Sequence, residues 1–158
     1  MLRVTKLTDY ATVVMTVLAK SGTEVLSATG IAQRSGLEIP TVSKVLKPLA
    51  QAGLVESYRG THGGYRLSRS PEQISLLEIV EIIEGPLAMT ACSDHGDACD
   101  LSASCDAAGN WQWVNRVLAE TLATISLAGM LERHPDRTIA AADRRRISAV
   151  LQDSGTTS

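Results

Sequence analysis

The sequence predicts a mainly α-helical fold with one small β-hairpin, and three observations predict it. Within the first 52 residues, three segments with apolar residues at helical spacing are separated by Ser-Gly or Gly stops. Two short strand-like runs follow around a Gly-rich turn. Far downstream, Trp111 opens a long segment whose apolar residues fall three or four apart.

Residues 8–20 read as the first helix, with Thr8 as its cap and Asp9 placed against the positive end of the helix dipole. Val13, Val14, Val17 and Leu18 share one face, and Ser21-Gly22 ends the helix. Ser27 can cap a short second helix carrying Ile31 and Ala32, which stops at Ser35-Gly36. Pro40 suits the first turn of a third helix, which runs to about Ala52 before Gly53. Val42, Val45, Leu46 and Leu49 give that helix an apolar face, while Thr41, Ser43, Lys44 and Lys47 stay off it.

Residues 54–58 and 65–67 are strand candidates, joined by Arg59-Gly60-Thr61-His62-Gly63-Gly64. Ser75 and Glu78 form a capping-box pattern that opens a helix with Leu76, Ile79, Val80 and Ile83 on one side, stopped by Gly85-Pro86. Residues 86–109 lose apolar periodicity and hold all three cysteines, Cys92, Cys99 and Cys105. The long helix from Trp111 then carries Val114, Val117, Leu118, Thr121, Leu122 and Ile125 in a stripe, and Ser126 can cap a short continuation through Met130. Such a stripe needs a partner to cover it. Pro135, the run Arg144-Arg145-Arg146 and a Ser/Thr/Gly-rich end read as a tail.

A length of 158 residues allows one or two compact domains, and 44% hydrophobic with 20% charged residues argues against disorder over most of the chain. Aromatics make up only 3%, which disfavours readers of single-stranded nucleic acid that stack bases on rings. The formal net charge of −2 hides an asymmetry: residues 1–75 carry nine Lys or Arg against five acids, whereas residues 76–158 carry six against twelve. Only the first half suits a polyanion. The opening stretch resembles a signal peptide superficially, but Asp9 and the lack of a small-residue cleavage site argue otherwise, so a cytosolic protein is expected. In that reducing compartment clustered cysteines point to metal ligands or redox thiols rather than a structural disulfide.

Two short helices, a turn containing Gly36 and a following helix with outward Thr, Ser and Lys match helix-turn-helix spacing, which an ordinary helical corner shares. The hairpin directly after the third helix favours the winged form: that helix enters the major groove, and a tip bearing Arg59 and His62 can lay a cation in the minor groove. The spacing Cys92-x6-Cys99-x5-Cys105 lacks the C-x2-C knuckles usual for zinc and is wide for a redox dithiol. Three thiols on a loop plus one further ligand could hold an iron–sulfur cluster, although unrelated thiols would give the same count. His62, His95 and His134 have no Ser/His/Asp or phosphate-loop arrangement beside them, so no enzyme is expected.

From about residue 1 to 131 the chain resembles the winged-helix iron–sulfur transcription regulators that include IscR, NsrR, RirA and the regulators of SUF cluster-assembly operons, the last being the nearest likeness. The resemblance rests on LTDYA, IAQRSGLEIPTVSKVLKPLAQAGLV, RGTHGGYRL, LLEIVEIIEG, the three-cysteine loop and the Trp-initiated helix. It implies a homodimer in which the long helices cross between subunits and each cysteine loop sits near the partner's DNA-binding domain. Cys92, Cys99 and Cys105 match the cluster thiolates, and Arg59 matches the wing arginine of the minor groove. Ser43 stands where IscR has a glutamate that links DNA choice to cluster state, and Ala107 stands where IscR supplies a histidine ligand. Asp9 matches an aspartate that NsrR contributes to the cluster from the other subunit. His95 competes for that role, as do Asp94, Asp97, Asp100, Asp106, water and a small thiol.

The expected organisation is a winged helix-turn-helix domain over 1–85, a cluster-binding cysteine loop over 86–109, a dimerisation helix over 110–131 and a partly disordered tail over 132–158. The expected function is a DNA-binding transcription regulator, a repressor, that senses iron–sulfur cluster status and controls SUF-type cluster-assembly or related iron and redox genes. It would hold one 2Fe-2S or 4Fe-4S cluster per subunit and bind a double-stranded operator, with no membrane or small-molecule substrate. Thr41, Ser43, Lys44, Lys47, Arg59 and His62 are the candidate DNA contacts. Zinc binding or thiol redox sensing by the same cysteines, or an interaction adaptor that binds no DNA, are the alternatives.

Overall fold

A computed structural model describes residues 4–88 and 106–132. The order is α1 (Lys6–Lys20), α2 (Ala28–Ser35), α3 (Ile39–Gln51), β1 (Val55–Tyr58), β2 (Gly64–Leu67), a single 3-10 turn at Pro71–Gln73, α4 (Leu76–Glu84), α5 (Asp106–Thr124) and α6 (Leu127–Leu131). The expected mainly α fold with one hairpin is what forms. Cys92, Cys99 and Cys105, with His95 and the expected 132–158 tail beyond Glu132, lie outside the described residues.

Local chemistry sets most of the boundaries. The Ser27 hydroxyl accepts the Gly30 N–H at 3.1 Å to start α2, and Gly36 ends it in the left-handed region at φ 74°, where a side chain would be strained. Ser75 accepts the Glu78 N–H while Glu78 accepts the Ser75 N–H, a complete capping box. Burial would raise the Glu78 carboxyl, but hydrogen bonds from Ser75 and the Arg69 guanidinium outweigh it and hold the group below its usual range. Ser126 likewise caps α6 by accepting the Gly129 N–H.

The start of α1 corrects the expectation for Thr8. The helix begins two residues earlier, Thr5 holds the cap position without a side-chain cap bond, and Thr8 is buried inside the first turn. Its hydroxyl donates to Glu84, so the acceptor that Thr8 would have supplied comes from another helix. The buried face of α1 is Thr8, Ala11, Val14, Met15 and Leu18, with Val13 and Val17 only partly covered at its margin.

One core joins α1 to α4, the hairpin and α6. Val42, Val45, Leu46 and Leu49 of α3 pack with the α1 face, Ile31, Leu54, Val55, Ile74, Ile79 and the distant Leu127. The hairpin pairs antiparallel, Val55 opposite Leu67 and Tyr58 opposite Gly64. It is docked onto the helices by Leu26, which exchanges both backbone hydrogen bonds with Tyr65 at 2.9 and 2.7 Å. α5 starts at Asp106, ahead of Trp111: Asp106 suits the positive end of the helix and Ala107 and Ala108 are strong helix formers, although 106–110 contribute no apolar period. After Thr124 the chain turns back at Ile125, and the Leu127 N–H donates to the Ile74 carbonyl at 2.8 Å.

Candidate nucleic-acid interface and the anchor of the cysteine segment

α3 turns its apolar face inward, which leaves Ser43, Lys44 and Lys47 exposed on the opposite side and Thr41 half-buried at the edge. Arg59 and His62 are both exposed in the turn of the hairpin. The helix-turn-helix and wing therefore present the six sequence-selected residues on two projecting features of one scaffold.

The charge left available on these features is selective. Arg34 is committed to Glu24 at 3.0 Å, Arg66 to Glu56 at 3.0 Å and Arg69 to Glu78 at 2.7 Å. Lys44, Lys47 and Arg59 make no ion pair among the described residues, so their positive charge is open to an anion. On the outer face of the wing, Glu56 also accepts the Tyr58 hydroxyl, and Arg66 stands 5.1 Å from the Tyr58 ring centre. The Tyr58 hydroxyl, then Arg66, hold the Glu56 carboxyl below its usual range. This trio stiffens the strand pair but neutralises its own cation.

A second constellation gathers where α4 ends. Glu84 Oε1 accepts the Thr5 N–H at 2.9 Å, the Thr5 hydroxyl at 2.7 Å and the Thr8 hydroxyl. Hydrogen bonds from Thr8, then Thr5, lower the Glu84 carboxyl from its ordinary value. Beside it lies a cavity of about 510 Å³ lined by Asp9, Thr12, Leu87, Ala88, Leu118 and Leu122 among others. Asp9 is exposed on one wall, and the wall formed by Leu87 and Ala88 leads into the cysteine segment. Asn115 of α5 fixes that wall by donating from Nδ2 to the Leu87 carbonyl at 2.6 Å. Among the described residues, no three His, Cys, Asp or Glu side chains assemble into a metal-binding group.

Sequence reasoning singled out neither Glu84 nor Asn115. Neither has a local signal, because each acts on a residue at least 28 positions away. Trp111 at the exposed start of α5 is 41% accessible, and Ile125 and Met130 are exposed as well, so part of the expected apolar stripe is not covered by the described chain itself. Among the described residues no helix is long and apolar enough to cross a membrane.

The family described as Rrf2, iron-dependent transcriptional regulator, matches residues 4–133. The chain belongs to the Rrf2 family. It is 37% identical over 105 residues to protein aau3 of Rhizobium meliloti (strain 1021), covering 66% of this chain and 68% of that protein. The solved structure of CymR, the global cysteine regulator of B. subtilis, matches with a TM-score of 0.67 at 28% identity, over 83% of this chain and 97% of that one. T. potens IscR matches with a TM-score of 0.60 at 33% identity, over 82% and 86% of the two chains. These likenesses make the protein an Rrf2-type winged-helix transcription regulator, of a family that binds DNA through this domain.

Proposed function

We propose that this Rrf2-family regulator is a homodimeric repressor that holds an iron–sulfur cluster on each subunit and changes its affinity for a double-stranded operator with the state of that site. Cys92, Cys99 and Cys105 would supply three ligands and the partner subunit's Asp9 the fourth. The observation that carries the reading is the position of the cysteine segment. It follows directly on α4, whose last residue is tied to the first turn of α1, and the exposed Asp9 shares a cavity with the same chain's Leu87 and Ala88; that the partner's Asp9, rather than the chain's own, completes the site rests on the resemblance to NsrR. Three thiolates and a carboxylate are a donor set that suits iron.

When bound, the cluster would supply a crosslink among the thiolates that is sensitive to iron supply and oxidants. The chain's own residues do the rest. Asn115 holds the entry of the segment against α5, and Glu84 holds α4 against α1, so a change in segment conformation acts on the helix that packs directly on α3. In a dimer joined along the α5 stripe, that change becomes a difference in spacing between recognition helices. Cluster-assembly genes of the SUF type, or related iron and redox genes, are the proposed targets.

Iron and acid-labile sulfide analysis of anaerobically prepared protein tests the reading. Iron and sulfide together, lost on Cys92→Ala, Cys99→Ala or Cys105→Ala, support it; zinc without sulfide, or a metal-free protein, overturns it. The likeness to CymR favours a second reading, in which the same thiols sense oxidation or hold zinc without a cluster.

A further inference from the structure

Between residues 25 and 55 every Val, Leu and Ile is buried or half-buried except one. Ile39, the first residue of α3, is 46% exposed and takes no part in the core, whereas Leu37 two residues earlier packs against it. Ile39 stands seven residues before Leu46 and so borders the buried face of Val42, Val45, Leu46 and Leu49, while Ser43 and Lys47, at four-residue steps from it, turn progressively away from that face. A β-branched side chain so exposed adds nothing to the hydrophobic core. It does, however, present stiffly oriented methyl groups at the N-terminal end of the helix that enters the major groove.

We propose that Ile39 is a specificity-determining residue that reads the 5-methyl group of thymine in the operator. Of the groups that base pairs present in the major groove, the thymine methyl is the apolar one, and an aliphatic side chain gains nothing from the polar edges beside it. Pro40, also exposed, fixes the backbone directly after Ile39 and so limits how far the side chain can swing away. Ser43 and Lys47 on the same stripe supply hydrogen-bonding and phosphate contacts, leaving Ile39 as the hydrocarbon element of the reading face. The inference rests on α3 as the recognition helix and is independent of the cysteine site.

The test uses the full chain to select duplexes from a random double-stranded library. Affinity is then measured for the selected duplex and for versions in which single thymines are replaced by deoxyuridine, which removes the methyl and nothing else. At one or more positions the replacement should weaken the wild type about fourfold, the equivalent of one buried methylene. Ile39→Ala should bind the thymine duplex about fourfold more weakly and lose the response to deoxyuridine, while Ile39→Val should keep part of it. The melting temperature of both variants should match the wild type, since the side chain is outside the core. Three results would overturn the proposal: deoxyuridine without effect at any position, Ile39→Ala responding as the wild type does, or an equal loss on selected and random duplexes, which marks a sugar contact. A wild type that enriches no sequence would instead remove the DNA-reading role of α3, and Ile39 with it.

Discussion

Glu84, the last residue of α4, accepts the backbone N–H of Thr5 at 2.9 Å and so caps α1 from 79 residues away in the sequence. The same oxygen takes the hydroxyls of Thr5 and Thr8, and its negative charge stands at the positive end of the α1 dipole. A cap of this kind is a tertiary contact. It locks the helix that carries Asp9 to the residue that precedes the cysteine segment.

Replacing Glu84 by Ala should therefore cost about 1 kcal/mol of unfolding free energy, the usual loss for a helix cap. Glu84→Gln keeps an acceptor but loses the charge. Because hydrogen bonding lowers the folded carboxyl below its ordinary 4.5, its contribution is complete above that value and disappears as pH falls through the lower folded value. Denaturant curves of wild type and Glu84→Gln should differ at neutral pH and converge in acid. A difference that widens in acid would refute the assignment.

Gly64 sits where the wing meets the helices. A Cβ there would lie 2.4 Å from the Leu26 carbonyl oxygen and 2.5 Å from its carbon, so the bridge between Leu26 and Tyr65 has no room for a side chain. Gly64→Ala should destabilise the protein by about 1–3 kcal/mol through overpacking, read as a lowered denaturation midpoint. It should also weaken DNA binding, since the wing can no longer dock in place. Unchanged stability would show that the hairpin shifts without cost.

Salt titrations should separate the two ways of touching DNA. Lys44→Ala and Lys47→Ala should weaken binding to all sequences and flatten the logarithmic salt dependence by about 0.9 for each phosphate that is no longer neutralised. Arg59→Ala should reduce discrimination between preferred and random duplexes by about 1–3 kcal/mol. If Arg59→Ala leaves the preferred site as tightly bound as before, Arg59 does not read sequence, and His62→Ala then decides whether the wing reads at all.

For the fourth ligand, paired substitution is decisive. Asp9→Ala should alter the absorption spectrum or lifetime of an anaerobically loaded cluster and loosen the link between cluster loss and DNA release, while His95→Ala should do neither. The reverse pattern would transfer the role to His95. A dimer mixed from Asp9→Ala and Cys92→Ala subunits distinguishes ligation across the interface from ligation within one chain, since only the former leaves one site with all four ligands intact.

Elements whose signals lie within one turn are legible in the sequence: the Ser27 and Ser126 caps, the Ser75–Glu78 box and the Gly36 stop all form as read. Thr8 departs from its expected role because its side chain answers to Glu84 across the fold, and propensity carries no such information. The docking of Leu26 on Tyr65 is invisible in the sequence for the same reason. Helical periodicity separates Lys44 and Lys47 from the buried face of α3 correctly, yet it cannot flag Ile39, because an apolar residue beside an apolar face looks like core until its exposure is measured. The cysteines stand outside the described residues, so spacing and family likeness remain the basis for their role.

Leu127 is wholly buried in the same core as Ala11 and Val14, although the cysteine segment lies between them in the chain. The last hydrophobic piece of the DNA-binding half is thus synthesised after Cys92, Cys99 and Cys105. During translation the core cannot close until those thiols have already emerged, because residues this far apart in sequence meet only once both ends of the intervening loop exist. The order of synthesis consequently puts the three thiols on the nascent chain before the residue that completes this core.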